Sequence, residues 1–183
     1  MKIVLKLIAF VVVMLSISAC SEEQAEVAVP QPVALSEEAV GHYCNMTVLE
    51  HTGPKAQIFL ANNPHPIWFS QVRDAIAYIR SPEELSEAVV VYVNDMGKAK
   101  NWDFPEEDTW IDASQAWFVI GSRKTGGMGT PEVIPFGAEA VANAFADENG
   151  GTVVQLAEIP DAYVLGPTGL DDDPANLITG AIQ

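Results

Sequence analysis

The chain has 183 residues and a formal net charge of −16, from 25 acidic and 9 basic side chains. Nucleic acid is excluded as a partner, because binding a polyanion requires a basic surface and this surface repels phosphates. The acidity instead favours solubility and the attraction of basic partners or cations.

The amino terminus predicts an export signal. Lys2 and Lys6 precede an apolar run over residues 7–15, and small residues follow this run. The run is shorter than the roughly 20 residues that a bilayer crossing needs. We therefore interpret residues 1–19 as a signal peptide that is cleaved, not as a spanning helix.

The end of this segment predicts a lipid anchor. Residues 17–20 end in Cys20 and resemble the bacterial lipoprotein box, which implies cleavage before Cys20 and acylation of its sulfur. Several acyl chains would anchor the protein stably on a membrane, with the body facing the periplasm. Ser21 at the next position favours the outer membrane. Cleavage without lipidation is the alternative, and it would leave both cysteines of the chain free to pair.

Composition divides the rest of the chain into three parts. Residues 20–40 hold the lipidated cysteine and an acidic linker, in which three glutamates precede Pro30 and Pro32. Residues 41–160 form the body, which is long enough for one domain or two small halves. Residues 161–183 form an acidic tail, which is either solvated or directed toward a partner.

The body contains two similar series of predicted elements, about sixty residues apart. The strand candidates are residues 56–60, 68–69 and 89–93 in the first series and 116–120, 135–136 and 152–156 in the second, with further candidates at 47–49 and 110–111. A helical pattern lies between the second and third strands of each series. This order predicts an α+β fold of two small tandem ββαβ-type units, over residues 41–100 and 105–160.

Each unit is predicted to bury one face of its helix. In the first helix Ser70 is the expected N-cap, and the run ends at Ser81. The apolar residues of the first helix are Val72, Ala75, Ile76 and Ile79. The expected stripe of the second helix is Val141, Ala144 and Phe145, with a cap at Gly150-Gly151.

Cys44 is a candidate metal ligand. Acylation of Cys20 removes its only partner for an intramolecular disulfide, and an unpaired exported thiol is either buried and inert or available for reaction or metal binding. If residues 44–46 are extended, Cys44 and Met46 point to the same face. A thiolate with a thioether favours Cu(I), whereas a closed zinc site needs more ligands. A mixed site with His42 and His51, or simple core packing of both sulfur residues, remains open.

Met128 is a third sulfur candidate. It lies in Gly126-Gly127-Met128-Gly129, where the flanking glycines permit unusual backbone angles and a close approach to another segment. This setting suits a methionine that a loop carries to a metal. An exposed methionine in a flexible turn is the alternative.

A series of short segments also occurs in a distinctive order. The segments are His42-Tyr43-Cys44-Asn45-Met46, Phe69 with its helix, Tyr92-Val93-Asn94-Asp95, Ala116-Trp117-Phe118-Val119 and the Gly126–Gly129 loop ahead of Pro135-Phe136. Together they resemble the NosL family, the lipoprotein copper chaperones of nitrous oxide reductase. The resemblance spans residues 41–160, and the ordered series is more specific than any one segment.

The resemblance implies a fold and a ligand set. The fold would be two ββαβ-type units, similar in topology to the organomercurial lyase MerB. Cu(I) would be bound by a cysteine, the methionine two residues later and a distant methionine, which here are Cys44, Met46 and Met128. The family's usual Cys-Gly-Met has Asn45 in place of glycine, which we expect to constrain the backbone without removing a ligand. His42 is a candidate auxiliary ligand.

The resemblance also implies ligand exchange instead of catalysis, so we expect that the protein is not an enzyme. A partner's sulfur or imidazole would attack an open Cu(I) ion, and movement of the Met128 loop would control that path. The implied partners are the nitrous oxide reductase apoprotein and an ABC-type membrane assembly complex. Met96 and His51 are further donors that we expect to be structural.

Two other functions compete with this interpretation. The first is a MerB-like thiol enzyme, but that chemistry uses a pair of cysteines with an aspartate, and only Cys44 offers a free thiol when Cys20 is acylated. The second is a lipoprotein that serves as an assembly scaffold without a metal, with its sulfur residues in the core.

Overall fold

The computed structural model describes residues 29–167. The predicted signal peptide, Cys20, the first part of the predicted linker and most of the predicted tail lie outside the described residues. Between residues 29 and 167 there is no helix with the length and apolar character that a membrane crossing requires.

The first half of the body forms a four-stranded antiparallel sheet with one helix. Its elements are β1 (Ala56–Leu60), β2 (Ile67–Phe69), α1 (Val72–Arg80), β3 (Ala88–Asn94) and β4 (Trp110–Asp112). The strand order is β2-β1-β3-β4. Ala56 of β1 is paired with Phe69 on one side and with Val93 on the other, so β1 lies inside the sheet.

The second half repeats this arrangement in a smaller sheet. Its elements are β5 (Trp117–Ile120), β6 (Ile134–Phe136), α2 (Glu139–Asn149) and β7 (Thr152–Gln155), followed by the short helix α3 (Asp161–Leu165). The strand order is β6-β5-β7, and both pairings are antiparallel. Two ββαβ units in an α+β fold are therefore confirmed. β4, which lies within the range predicted for the second unit, pairs with β3 of the first sheet.

The main core joins the two units. Phe69 of β2 and Ile76 of α1 pack in the same buried cluster as Phe118 and Ile120 of β5 and Tyr163 of α3. Each fully buried apolar side chain of this size stabilises the fold by roughly 1.5–3 kcal/mol relative to an exposed one. The short helix α3 contacts α1, and the loop before β6 reaches the beginning of α1, where Glu132 accepts a hydrogen bond from the Arg73 amide.

The opposite face of the second sheet has its own core. Side chains alternate along β5, so Val119 lies with Ile134, Phe136 and Ala142 in a separate cluster, while its neighbours face the main core. Met96 is buried in this second cluster. Its thioether is therefore a structural one, as expected from the sequence.

Three local predictions are wrong. Val48–Glu50 is a 3₁₀ turn and not a strand, because the Glu50 and His51 amides bond to carbonyls three residues earlier. The N-cap of α1 is Gln71 instead of Ser70, whose hydroxyl lies beside Cys44.

The predicted stripe of α2 is also wrong in part. Ala142 is the fully buried residue, whereas Val141 is 42% exposed and Ala144 is exposed as well. Phe145 packs partly against the second cluster, as predicted, and Gly150 caps the helix with a φ of 75°. The helix is rotated relative to the prediction because Ala142 is small enough to approach β5 and β6 closely.

Candidate metal site

The segment that carries Cys44 is a tight loop. Val40 and Thr47 form an isolated antiparallel bridge, and the Gly41 amide donates a hydrogen bond of 2.9 Å to the Met46 carbonyl. The Asn45 amide donates a 2.9 Å bond back to the Gly41 carbonyl. The segment is therefore not extended, so the condition under which the alternation of an extended strand would place Cys44 and Met46 on one face is not met.

Asn45 allows this loop to close. Its φ is 55°, which lies in the left-handed region that glycine adopts freely and that asparagine tolerates better than other side chains. Asn45 can therefore occupy the position of a glycine without changing the course of the backbone. The closed loop brings the Cys44 Sγ within 4.0 Å of the Met46 backbone carbonyl oxygen.

The Cys44 thiol is half-buried against the start of α1. Its Sγ lies 3.5 Å from the Ser70 hydroxyl oxygen, and it has no disulfide partner among the described residues. Gly41 makes room for the sulfur, because a methyl group there would lie 2.5 Å from Sγ and 3.0 Å from the Ser70 Oγ.

Gly41→Ala is expected to displace the Cys44 side chain and to speed alkylation of its thiol severalfold. The methyl group collides with Sγ, which can escape by rotation about χ1 toward solvent, so the fold is expected to survive. The rate is measured with a neutral alkylating reagent in the full chain carrying Cys20→Ser, so that Cys44 is the single thiol. Asn45→Gly in the same background is the control and should react as the parent does. An unchanged rate in Gly41→Ala would show that Gly41 does not hold the sulfur in place.

Aromatic rings surround the base of this loop. The His42 ring lies 5.7 Å from Phe69 and 5.2 Å from both Tyr43 and Tyr78, measured between centroids. The Tyr43 hydroxyl donates a 3.3 Å hydrogen bond to Glu84. Burial, followed by the charge of Glu84, raises the pKa of Tyr43 to about 12. His42 packs as an aromatic residue in this cluster, and its role as an auxiliary ligand stays a prediction.

Met128 lies at the tip of a hairpin loop between β5 and β6. Thr125 and Pro131 form an isolated bridge at its base, and the Gly126 amide donates a 2.9 Å bond to the Thr130 carbonyl. Gly129 has a φ of 75°, which closes the turn. The Met128 side chain is 39% exposed, similar to Met46 at 40%. Both methionines are therefore partly exposed to solvent.

The loop is fastened to the first unit. The Met128 amide donates a 3.1 Å hydrogen bond to the Gln71 side-chain oxygen, and the Gly127 carbonyl oxygen lies 3.3 Å from Nδ1 of His51. A methyl group at Gly127 would lie 2.6 Å from the Thr52 carbonyl oxygen, so the glycine permits this close approach. His51 is buried and acts as a structural residue here, as expected.

Cys44 and Met128 thus contact adjacent residues at one place in the fold. Cys44 lies against Ser70, and the Met128 loop bonds to Gln71, the next residue along the chain. Sequence reasoning missed Gln71 entirely and assigned Ser70 only to helix capping. A glutamine before a helix gives no local signal of a bond to a segment 57 residues away.

A buried carboxyl group also contacts the beginning of α1. The Glu132 side chain accepts 2.8 Å bonds from the amides of Arg73 and Val133, and so caps α1 from the second unit. Burial dominates its environment and raises its pKa to about 8. Lys55 is also buried, and desolvation lowers its pKa to about 8. The sequence predicted neither shift, because both follow from tertiary burial.

The described residues offer no other metal cluster of the common kind. From residue 29 to residue 167, no group of three or more His, Cys, Asp or Glu side chains is placed to share an ion. A site built from three or more such side chains is therefore not formed within this range. Cys44, Met46 and Met128 are the sulfur residues that the two loops carry, and their role as ligands stays a prediction.

Comparisons with known proteins all identify the same family. The NosL family profile matches residues 32–164. The copper-binding lipoprotein NosL of Achromobacter cycloclastes is 51% identical over 159 residues, which are 86% of this chain and 81% of that protein. The protein of the same name from Stutzerimonas stutzeri is 28% identical over 148 residues, 81% of this chain and 76% of its own.

A solved structure supports the same relationship. The crystal structure of the copper chaperone NosL from Shewanella denitrificans superimposes with a TM-score of 0.65 at 31% sequence identity. The match covers 70% of this chain and 95% of that structure. The similarity therefore extends through both sheets and is not limited to one motif.

Proposed function

The chain belongs to the NosL family, and from this premise we propose that it is a lipid-anchored, periplasm-facing Cu(I) chaperone that supplies copper for nitrous oxide reductase. The observation that carries the proposal is the 51% identity, over 86% of the chain, with a protein named a copper-binding lipoprotein. Related proteins are named for binding or carrying copper, and this protein is not an enzyme.

The donor set supports copper in its reduced form. Cys44 supplies a thiol, and Met46 and Met128 supply thioethers on exposed loops. Soft thiolate and thioether ligands select Cu(I), whereas Cu(II) favours nitrogen and oxygen ligands in a tetragonal arrangement. The thiol must lose its proton on binding, so uptake of the metal releases a proton.

Release to a partner would proceed by ligand exchange. Copper is the cargo here, and its bonds to the two thioethers are weaker than its bond to the thiolate. Because Met46 and Met128 are each about two-fifths exposed, a partner's sulfur or imidazole can approach from solvent and replace them one at a time. Cys44, which is half-buried, would be the last protein ligand to leave.

The surroundings of the protein follow from the same proposal. Cys20 would carry the lipid that holds the body at the membrane, and the names of both relatives include the word lipoprotein. The receiving partners would be the nitrous oxide reductase apoprotein and an ABC-type membrane assembly complex. The acidic surface would favour basic surfaces on these partners. The outer membrane is the proposed site of anchoring, since Ser21 follows the lipidated residue.

Met46→Ala and Met128→Ala are each expected to lower Cu(I) affinity roughly tenfold, with the fold unchanged. Each variant removes one soft ligand from an exposed loop, and a tenfold loss corresponds to about 1.4 kcal/mol. Affinity is measured anaerobically by competition with a Cu(I) chelator, in the full chain carrying Cys20→Ser. Met96→Leu is the matched control, because this buried thioether lies in the second core cluster. Wild-type affinity in both loop variants would refute this ligand set.

Delivery is tested separately from binding. The Cu(I)-loaded protein is mixed with copper-free nitrous oxide reductase, and copper in the separated reductase is measured with and without the membrane assembly complex. The proposal expects transfer from the parent and loss of transfer from a variant that cannot bind Cu(I). Equal copper uptake from both proteins would favour a scaffold that acts without carrying metal.

A further inference from the structure

We infer that Gln71 is a positioning residue that holds the Met128 loop in place to bind copper jointly with the Cys44 loop. The inference rests on the proposed copper site and adds a residue that is not one of its three sulfur ligands. Gln71 is buried, with 3% of its surface exposed. It lies in the short connection between the end of β2 and the beginning of α1.

The side-chain oxygen of Gln71 binds the Met128 loop. Its Oε1 accepts a 3.1 Å hydrogen bond from the Met128 amide and a 3.0 Å bond from the Thr130 hydroxyl. Two donors from the same loop therefore converge on a single acceptor. Since the Met128 amide is the backbone group next to the side chain that would bind copper, this bond acts directly on the position of that side chain.

The other end of the amide fixes its orientation. The Gln71 Nε2 donates a 3.1 Å hydrogen bond to the Asp74 carboxylate in the first turn of α1. A flipped amide would direct its NH₂ group at the Met128 amide and its oxygen at a carboxylate, so the observed orientation is the only one that satisfies these partners. The acceptor that faces the loop is thus held rigidly by the helix.

Close packing beneath the loop leaves little freedom. A methyl group at Gly126 would lie 2.6 Å from the Gln71 Oε1 and 2.5 Å from the Glu132 Oε2. A glycine at position 126 therefore leaves the space in which the Gln71 side chain bonds to the Met128 amide. The loop is also bonded at its far end, where Glu132 caps α1. The tip and the base of the loop are thus both hydrogen-bonded to the beginning of α1.

The same terminus contacts the cysteine loop. Ser70 precedes Gln71 directly, and its hydroxyl lies 3.5 Å from the Cys44 Sγ. Two consecutive residues thus contact the thiol on one side and the methionine loop on the other. This pair joins two ligands that are 84 positions apart in the chain. Without the Gln71 bonds, the Met128 loop would keep its attachment at Glu132 and His51 but would lose the one at its tip.

The test is a double-mutant cycle with Gln71→Leu and Met128→Ala in the full chain carrying Cys20→Ser. Gln71→Leu is expected to lower Cu(I) affinity roughly tenfold when Met128 is present, which is about 1.4 kcal/mol, and to have no further effect when Met128 is replaced by alanine. Thr130→Val removes one of the two bonds and should give a smaller loss of the same kind. Gln115→Leu, at an exposed glutamine, is the matched control.

A second measurement needs no copper. Hydrogen exchange of the Met128 amide in the metal-free protein should be faster in Gln71→Leu than in the parent, while amides of β1 keep their protection. This result distinguishes loss of the Gln71–Met128 hydrogen bond from failure of the proposed copper site. Unchanged exchange at Met128, or an affinity loss that is the same with and without Met128, would overturn the inference. Failure of the parent to bind Cu(I), with faster exchange still observed in the variant, would instead overturn the proposed function.

Discussion

Cys44→Ser is expected to reduce Cu(I) affinity by on the order of a hundredfold or more, the largest effect of any single substitution on binding. The serine hydroxyl is nearly the size of the thiol and can keep the contact with Ser70, so the loop should fold as before. A hydroxyl is, however, a hard donor that stays protonated near neutral pH, and it cannot replace a thiolate as a ligand of Cu(I). The two methionines alone would then form a weak site.

This result is checked by anaerobic chelator competition in the full chain carrying Cys20→Ser, with melting temperature measured in parallel. Ser70→Ala is an informative companion, because it removes the hydroxyl beside the sulfur and leaves every proposed ligand. It should change affinity far less than Cys44→Ser does. If Cys44→Ser binds as tightly as the parent, the proposal that this thiol anchors the metal is wrong.

Glu132→Gln is expected to remove a pH-dependent loss of stability between pH 5 and pH 8. Burial raises the pKa of Glu132 to about 8, from an ordinary value of 4.5. Between these values the folded protein retains a proton that the unfolded chain releases, so the free energy of unfolding falls as the pH rises. The fall from this one group is at most about 1.4 kcal/mol per pH unit. A glutamine does not titrate and still offers an oxygen to the amides of Arg73 and Val133.

The measurement is urea denaturation of the parent and the variant at several pH values from 5 to 7.5. Besides burial, the hydrogen bonds from the Arg73 and Val133 amides lower the pKa of Glu132, the charge of Asp74 raises it and the charge of Lys55 lowers it. Lys55 has a lowered pKa of about 8, and its own contribution to stability rises with pH above that value. Below pH 8 the Lys55 contribution is therefore nearly constant, and since burial also raises the pKa of Asp74, the difference between the parent and the variant reports the Glu132 carboxyl group.

The variant should gain stability relative to the parent steadily across this range. Glu87→Gln is the control, because Glu87 is exposed and its replacement changes no buried carboxyl group. It should follow the parent at every pH. Parallel stability curves for the parent and Glu132→Gln would contradict the raised pKa.

The sequence predicted the order of elements well for a physical reason. Strand and helix signals are local: the run of β-branched residues over residues 89–93 and the apolar spacing along residues 72–79 depend only on neighbours in the chain. Both ββαβ units were predicted on such patterns and are confirmed. One error occurred where a distant residue overrides a local preference. Ser70 is a good capping residue by type, yet Glu132 supplies the acceptor for α1.

The same distinction between local and distant effects applies to the candidate site. The chemical nature of Cys44, Met46 and Met128 as soft donors is a property of each residue, and the sequence alone identified them. Their geometry is local in one part and distant in the other. Asn45 adopts a left-handed conformation that closes the Cys44 loop, so this segment is not extended, whereas the Met128 loop is held by a bond to the distant Gln71.

The sequence by itself determined the family, the α+β class, the acidic character and the set of possible soft ligands, because these follow from residue types and short spacings. Only the tertiary structure decided that the Cys44 and Met128 loops meet the same helix terminus and that Gln71 and Glu132 fasten one of them there. Those contacts depend on the packing of the two units in one main core, which joins residues far apart in the chain. Burial in the tertiary structure is also what shifts the pKa values of Glu132 and Lys55.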